Sequence, residues 1–359
     1  MYKDFFVDLL ETPTPSGYEK YGAKLFEYYC DMLPESENCY RENGSFNRAY
    51  RISDGNKKLL LSAHMDEICM AVAHITDDGF IIPANCAGVD KKVIPGHSVQ
   101  ILKISHKPST DTVPGIVHKM PIHAEWAEDA KDKILDFHEM RIDIGAESRE
   151  EVEKEFDVHI GDLIMSRHNI ETEFGKNKIH ANSLDDKAGV YVVYEVMRRL
   201  ANTQTSERWR SEYEVIGLAA TGEESGLLGA ARAAHIINPD ISIDIDVTHA
   251  VDAGILSENR YGSIKLGKGP VIEFGQDKSN RINRELRRIG EEKKIDFQEH
   301  YSRCGGTNTK SFYLYSHDAE TTLLSIPLLS MHTPVETVDK RDLESMIRLL
   351  FSAVMECVF

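Results

Sequence analysis

Two adjacent carboxylates, Glu223 and Glu224, lie between an apolar run and a helical pattern. The run 215–220 predicts a buried strand, and residues 227–237 predict the helix that follows it. Sites in α/β proteins form at the carboxyl ends of strands, because the loops there are free of sheet pairing. Neighbouring side chains in near-extended backbone point in different directions, so one carboxylate could bind a metal while the other faces a substrate. A Glu-Glu pair by itself is more often part of a solvated surface.

Further metal-type side chains follow other predicted strands. His64 and Asp66 come directly after the run 59–63, and the single residue between them places both side chains on the same side. His64 could therefore bind a metal while Asp66 orients it through a hydrogen bond. The other candidates are Asp185 with Asp186 at the start of a helix, Asp246 at the end of the strand 241–245, and His332 after residues 328–331.

Together with Glu224, these positions supply two imidazoles and three carboxylates. Such a mixture suits zinc, cobalt or manganese better than calcium or magnesium. Five protein ligands are more than one catalytic zinc uses, and they suit a pair of ions about 3.5–4 Å apart that share one carboxylate. Two questions stay open at this point. Asp185 and Asp186 could simply cap their helix, and Asp244, which accompanies Asp246 in its strand, has no assigned role.

Composition limits the possible functions. The chain of 359 residues is 41% hydrophobic and 28% charged, as is usual for a globular protein. Its net charge of -17 argues against non-specific nucleic-acid binding, since no large basic patch is apparent. No apolar run approaches 18 residues and the first residues lack a signal-peptide core, so we expect a cytoplasmic protein without a membrane span. Six cysteines without C-x-x-C spacing indicate free thiols.

The element pattern predicts an α/β protein with an insertion. Strand and helix patterns alternate through most of the chain, which indicates a three-layer α/β/α architecture around a largely parallel sheet. Residues 50–62 predict a β-hairpin with its turn at Asp54-Gly55. Short β-like runs separated by Gly, Pro and Asp turns indicate an inserted, β-rich, barrel-like domain at 69–165. The catalytic α/β domain would then be discontinuous, comprising 1–68 and 166–359.

The order of these motifs resembles one family, the M42 metallo-aminopeptidases, also described as glutamyl or tetrahedral aminopeptidases, within the di-zinc exopeptidases. The resemblance extends from near residue 12 to 340 and so covers nearly the whole chain. The matching stretches are Ser16-Gly-Tyr-Glu19, Ala63-His-Met-Asp-Glu-Ile68, Ile142-Asp-Ile-Gly-Ala146, Gly161-Asp162, Leu184-Asp-Asp-Lys-Ala-Gly189, Thr221-Gly-Glu-Glu-Ser-Gly226, Asp246-Val-Thr-His-Ala250, Leu266-Gly-Lys-Gly-Pro270, Gly305-Gly-Thr307 and Met331-His-Thr-Pro-Val-Glu336.

The resemblance implies a role for each candidate residue. Glu223 would be the general base, and Asp66 would support His64. It also implies two divalent ions per chain, zinc or cobalt, and short peptides as substrates. The β-rich insertion would contribute to dimers that assemble into a dodecamer. The implied metal ligands are His64 and Asp246 for one ion, Glu224 and His332 for the other, and Asp185 as the bridge between them.

The predicted activity is removal of N-terminal residues from short peptides, by a water molecule that Glu223 deprotonates. Asn308 stands where the family usually has Asp, and Lys187 where Arg is frequent, but neither change removes a ligand or the base. The main alternative is a metal-dependent deacylase or carboxypeptidase-type amidohydrolase on the same scaffold. A cellulase would use two carboxylates without a metal pair. A catalytically idle binding protein would not need the complete ligand set.

Overall fold

The computed structural model describes residues 4–41, 45–109, 111–121, 123, 134–204, 207–302 and 306–359. The chain divides into two compact units. The α/β unit comprises Met1–Asp66, Ile170–Met331 and Val335–Phe359, and the barrel unit comprises Glu67–Asn169 and His332–Pro334. Among the features predicted above, Cys304 and the motif residue Gly305 lie outside the described residues. The cysteines that the structure does describe are free thiols.

Strands and helices are numbered here in chain order. The strands are β1 (Glu37–Arg41), β2 (Arg48–Arg51), β3 (Lys57–His64), β4 (Cys69–Ile75), β5 (Ile81–Ala87), β6 (Ser98–Leu102), β7 (Thr112–Val117), β8 (Ile142–Asp143), β9 (Leu163–Ser166), β10 (Glu171–Phe174), β11 (Lys178–Ala181), β12 (Tyr213–Ala220), β13 (Ile241–His249), β14 (Val271–Phe274), β15 (Gln298–Tyr301), β16 (Glu320–Leu328) and β17 (Glu336–Asp339). The helices are α1 (Asp4–Glu11), α2 (Lys20–Asp31), α3 (Arg149–Lys154), α4 (Leu184–Ala201), α5 (Trp209–Glu212), α6 (Leu228–Ile237), α7 (Glu258–Tyr261), α8 (Asn280–Lys293), α9 (Asn308–Tyr315) and α10 (Lys340–Met355). Within the described part of the chain, none of these helices is long and apolar enough to span a membrane.

An eight-stranded sheet forms the centre of the α/β unit, in the order β1-β2-β12-β3-β13-β16-β14-β15. Strands β12, β3, β13 and β16 run parallel to one another, so their carboxyl ends meet at one edge. The register pairs His64 with Ala220, and it pairs Ser62 with Asp244. Asp246, two residues beyond Asp244, therefore lies at the level of His64.

The predicted hairpin at residues 50–62 is wrong. Strands β2 and β3 do not pair with each other, because β12 lies between them, antiparallel to β2 and parallel to β3. Gly55, in the predicted turn, donates its N–H to the carbonyl of Tyr213 at 3.1 Å. The chain does reverse its direction between β2 and β3, but the reversal closes around the start of a strand that comes much later in the sequence.

Alternate residues of the central strands face two different cores, which makes the α/β unit three-layered. Leu59, Leu61 and Ala63 pack in a large core with side chains of α1, α2, α4, α8 and α10. Leu60 packs in a second core with side chains of α6 and α9. A strand covered on both faces needs apolar residues at consecutive positions, which is the pattern that residues 59–61 show.

The barrel unit has its own core. Its strands close in the order β4-β5-β8-β7-β6-β9. Inward side chains such as Val72, Ile101 and Ile142 fill the interior. The predicted helix after Ser148 is α3, and Ser148 caps it by accepting a hydrogen bond from the N–H of Glu151.

Candidate metal centre

The imidazole of His64 lies at the centre of the predicted site. It is the last residue of β3, and only 2% of it is exposed. Three carboxylate oxygens surround its Nε2 atom: Asp185 Oδ1 at 3.2 Å, Glu223 Oε2 at 3.9 Å and Asp246 Oδ1 at 4.0 Å. Ligands about 2.0–2.1 Å from a tetrahedral zinc are roughly 3.3 Å apart, so these spacings are close to those of a shared ion.

The other ring nitrogen of His64 faces Asp66. Its Nδ1 lies 3.1 Å from the Asp66 carbonyl oxygen and 3.4 Å from Asp66 Oδ1. A proton on Nδ1 is therefore held by oxygen acceptors, which leaves the lone pair of Nε2 for a metal. The predicted part of Asp66 in orienting a metal-bound His64 stays a prediction.

Asp66 also holds the loop that carries Glu223 and Glu224, which the sequence did not reveal. Its buried carboxylate accepts hydrogen bonds from the backbone N–H groups of Glu223 at 3.0 Å and Glu224 at 3.1 Å. It also accepts one from Ser16 Oγ at 2.7 Å. The same side chain thus orients His64 and fixes the backbone that carries both glutamates.

Asp185 and Asp186 are adjacent, but their carboxylates make different contacts. Asp186 Oδ1 accepts the N–H of Gly189 at 3.0 Å, three residues on, as a helix cap does. Its Oδ2 accepts the N–H of His64 at 3.3 Å. Asp185 instead directs a carboxylate oxygen at His64, and its own N–H is held by Glu336 Oε2 at 3.1 Å. The peptide bond between the two aspartates is cis.

The remaining predicted ligands are placed as follows. Glu224 and Glu223 form a group with His64 whose potential ligand atoms lie within 4.8 Å of one another. His64, Asp185 and Asp246 form another such group. His332 belongs to the short segment that clusters with the barrel unit, where its Nδ1 lies 3.2 Å from the carbonyl oxygen of Gly88. Its role as a ligand of the second ion stays a prediction.

Asp244, which had no role in the sequence, is an anchor of the fold. Its Oδ1 accepts the hydroxyl of Ser62 at 2.5 Å, and its Oδ2 accepts the N–H of Thr309 at 3.0 Å. Asp244 therefore ties β13 to β3 and to the first turn of α9. Asn308, beside Thr309, is buried, and among the described residues its Oδ1 has no hydrogen-bond partner.

Glu19 was missed as a site-supporting residue, although its motif was noted. It is 2% exposed and accepts the N–H of Gly17 at 2.9 Å and of Gly222 at 3.0 Å. Burial, with a smaller contribution from the charge of Asp66, raises the pKa of Glu19 to about 8. The available signal was the motif Ser16-Gly-Tyr-Glu19, which was matched to the family without a role for Glu19. Glu19 holds the start of the loop that carries the glutamates.

The site around His64 contains more acidic groups than positively charged groups to balance them. Burial raises the pKa of Glu223 to about 9, with smaller contributions from Asp246, Glu224 and Asp66, while His64 opposes the rise. Burial also raises the pKa of Asp246 well above its usual value. Buried carboxylates need a cation or protons to be stable. A donor set of one imidazole and several carboxylates around one point fits a divalent transition ion.

Comparisons with known proteins agree with this chemistry. The family model of M42 glutamyl aminopeptidases matches residues 44–349. The lysyl aminopeptidase of Pyrococcus furiosus is 28% identical, over 95% of this chain and 93% of its own. An aminopeptidase structure from Desulfurococcus kamchatkensis has a TM-score of 0.85 at 27% identity, covering 98% of this chain and 94% of its own. The TET1 peptidase of Pyrococcus horikoshii, which can assemble into a tetrahedron or a large octahedral shell, has a TM-score of 0.82 at 25% identity over 98% of both chains. These relatives favour an aminopeptidase over the deacylase or carboxypeptidase alternative. Because the family model matches most of this chain, the chain belongs to the M42 glutamyl aminopeptidases, a family of metal-dependent enzymes.

Proposed function

We propose that His64, Asp185 and Asp246 bind one divalent ion, and that Asp185 shares a second ion with Glu224 and His332. The observation that carries the first assignment is the convergence of Asp185 Oδ1 and Asp246 Oδ1 on His64 Nε2, within 4.0 Å. The second ion and its ligand His332 rest on the resemblance to the family. Zinc and cobalt are the proposed ions, because both accept imidazole together with carboxylate oxygen.

Glu223 is the proposed general base. Divalent ions in such a centre would lower the pKa of a water molecule and polarise the scissile carbonyl. Glu223 takes the proton of that water and later delivers it to the leaving amine. Its carboxylate lies near His64 Nε2 at 3.9 Å, and its own N–H is fixed by Asp66. A nearby cation would bring its raised pKa back down, so that it can accept a proton near neutral pH.

Asp66 is a positioning residue in this scheme. It does not reach the substrate, since its oxygens are occupied by His64 and by the backbone N–H groups of Glu223 and Glu224. It holds one ligand and the base in a fixed mutual geometry, and such outer partners contribute roughly 10–100-fold to metal affinity or activity.

The proposed substrates are short peptides with a free N-terminal amine. Carboxylates or a metal would recognise that amine, which would account for cleavage from the end of a chain. The barrel unit is proposed to contribute to dimers that assemble into a dodecamer, because a solved TET1 structure is a dodecamer and the TET1 peptidase can assemble into a tetrahedron. We further propose that the protein acts in the cytoplasm.

The test is release of amino acids from matched unblocked and N-acetylated peptides. The metal-stripped protein is assayed as such and after reloading with zinc or cobalt. We expect metal-dependent release from the unblocked peptides alone, and the fastest substrate then defines the preferred N-terminal residue. Hydrolysis of only the acetylated set would instead support a deacylase. Counting bound ions per chain in the same samples tests the two-ion proposal.

A further inference from the structure

A second cluster of metal-type side chains lies on the barrel unit. His106 Nδ1 is 3.0 Å from Asp157 Oδ1, and His159 Nε2 is 3.1 Å from the same oxygen. The two imidazole rings lie close together, with centroids 4.7 Å apart. All three potential ligand atoms lie within 4.8 Å of one another. Two imidazoles and one carboxylate therefore converge on one point, with no contribution from the catalytic candidates.

The backbone on both sides of this cluster is held by one buried acid. Asp162, fully buried, accepts the N–H groups of Ile104 at 2.8 Å and Ser105 at 2.9 Å through Oδ1. Its Oδ2 accepts the N–H of His159 at 2.8 Å. The segment that carries His106 and the turn that carries His159 are thus fixed relative to each other. A site whose ligands are already in place loses less conformational entropy when an ion binds.

We propose that His106, Asp157 and His159 form an additional binding site for a borderline transition ion such as zinc, separate from the catalytic centre. Adjacent ligands of a tetrahedral zinc are roughly 3.3 Å apart. The spacings of 3.0 and 3.1 Å in this cluster need to open only slightly to admit the ion. The fourth position would face solvent, because 57% of the His106 side chain is exposed. The ion would link the 104–109 segment to the 157–162 turn.

The alternative is a set of ordinary surface hydrogen bonds. The barrel unit contains an example of such a pair: His118 Nε2 lies 3.1 Å from Asp143 Oδ2, with a single imidazole on that carboxylate. Asp157 differs because two imidazoles meet one oxygen. Their hydrogen bonds hold the pKa of Asp157 below its usual value, so the carboxylate is ionised and available as a ligand. The neighbouring Lys107 is exposed, so water screens its charge.

The test counts zinc ions bound to the full chain at equilibrium, by titration against a chromophoric chelator and elemental analysis. The wild type is compared with His106→Gln and Asp157→Asn. His118→Gln is the matched control, since it breaks a His–Asp pair of the same length on the same unit. Asp157 has a positive φ of 53°, a conformation that Asn tolerates well, so Asp157→Asn should fold normally.

We expect the wild type and His118→Gln to bind one more zinc ion per chain than His106→Gln and Asp157→Asn. Peptidase activity should be equal in all four proteins, which separates this proposal from the proposed function. Equal zinc counts in all four proteins would overturn the additional site. In crystals grown with zinc, anomalous scattering at the zinc edge would locate the ion directly. We expect a peak at His106 and His159 in the wild type and none in Asp157→Asn. No peak in the wild type would contradict the proposal.

Discussion

Replacing Asp66 by Asn should impair both the metal centre and the loop that carries Glu223. The carboxylate accepts hydrogen bonds from two backbone N–H groups and from Ser16, and it faces His64 Nδ1. An amide has only one oxygen, so at least one of the two N–H groups loses its acceptor and faces an NH₂ group. Each hydrogen bond to a charged group contributes about 1.5–3 kcal/mol, and we expect a similar loss of unfolding free energy.

The catalytic consequence follows from the same geometry. With the loop loosened and His64 less well oriented, we expect kcat/KM to fall roughly 10–100-fold, as for other partners that orient metal ligands. That fall corresponds to about 1.4–2.7 kcal/mol of transition-state stabilisation. Zinc affinity, measured by chelator competition, should weaken in parallel. Removing the charge of Asp66 should also lower the pKa of Glu19 towards its usual value, since Asp66 raises it.

Asp162→Asn is the matched control. Asp162 is also fully buried and also accepts several hydrogen bonds, from Ile104, Ser105 and His159, but it lies in the barrel unit. It should lose a comparable free energy of unfolding, followed by denaturant titration, with little change in kcat/KM. If Asp66→Asn keeps wild-type kcat/KM and zinc affinity while losing the same stability as the control, Asp66 is only structural and the positioning argument fails.

Three further changes test other parts of the structure. Glu223→Gln should retain bound zinc but lower kcat by several orders of magnitude. Near-normal turnover would show that Glu223 is not the general base. In the metal-free protein, the pKa of Glu223 is raised from 4.5 to about 9, so its contribution to stability is fully present below about pH 4.5 and is lost as the pH rises towards about 9. Thermal stability in chelator should therefore fall over that range, less in Glu223→Gln; a fall of the same size in both would contradict the assignment. Gly55→Ala places a Cβ 2.3 Å from the Tyr213 backbone nitrogen, so it should lower the free energy of unfolding by about 1–3 kcal/mol; a neutral result would argue against the β2-β12-β3 order.

The strand-end candidates could be found from the sequence because parallel register does most of the positioning. An apolar run at 59–61 predicts a strand covered on both faces, and His64 follows it within a few residues. Once β3 and β13 are placed side by side, His64 and Asp246 must lie at one level of the sheet. The same periodicity placed Asp244 on the same face of the strand as Asp246. It could not show that Asp246 is the candidate ligand and that Asp244 instead ties β13 to its neighbours. That difference depends on Ser62 and Thr309, which only the folded structure brings near.

The hairpin prediction failed for a related reason. Turn chemistry at Asp54-Gly55 is local, and it correctly indicates that the chain reverses its direction between β2 and β3. Which strand lies beside the bend is decided by tertiary packing, and here β12 enters between the two arms. Likewise, no spacing rule distinguishes Asp185 from Asp186. Where each carboxylate lies depends on the local backbone at the start of α4, which is not helical at these two residues.

The buried acids of the α/β unit differ in what holds them, and this difference supports the ligand assignment. Asp66, Asp186 and Asp244 each accept a backbone N–H group from a residue of another element, although burial still raises the pKa of Asp186 well above its usual value and that of Asp244 to about 6. The backbone N–H that Asp246 accepts is that of its own neighbour Val247, and burial raises the pKa of Asp246 well above its usual value. A carboxylate that the fold buries without neutralising it needs either a proton or a cation beside it to be stable. On this argument Asp246→Asn should raise the thermal stability of the metal-free protein while abolishing the stabilisation that zinc provides, and a loss of stability in both states would refute it.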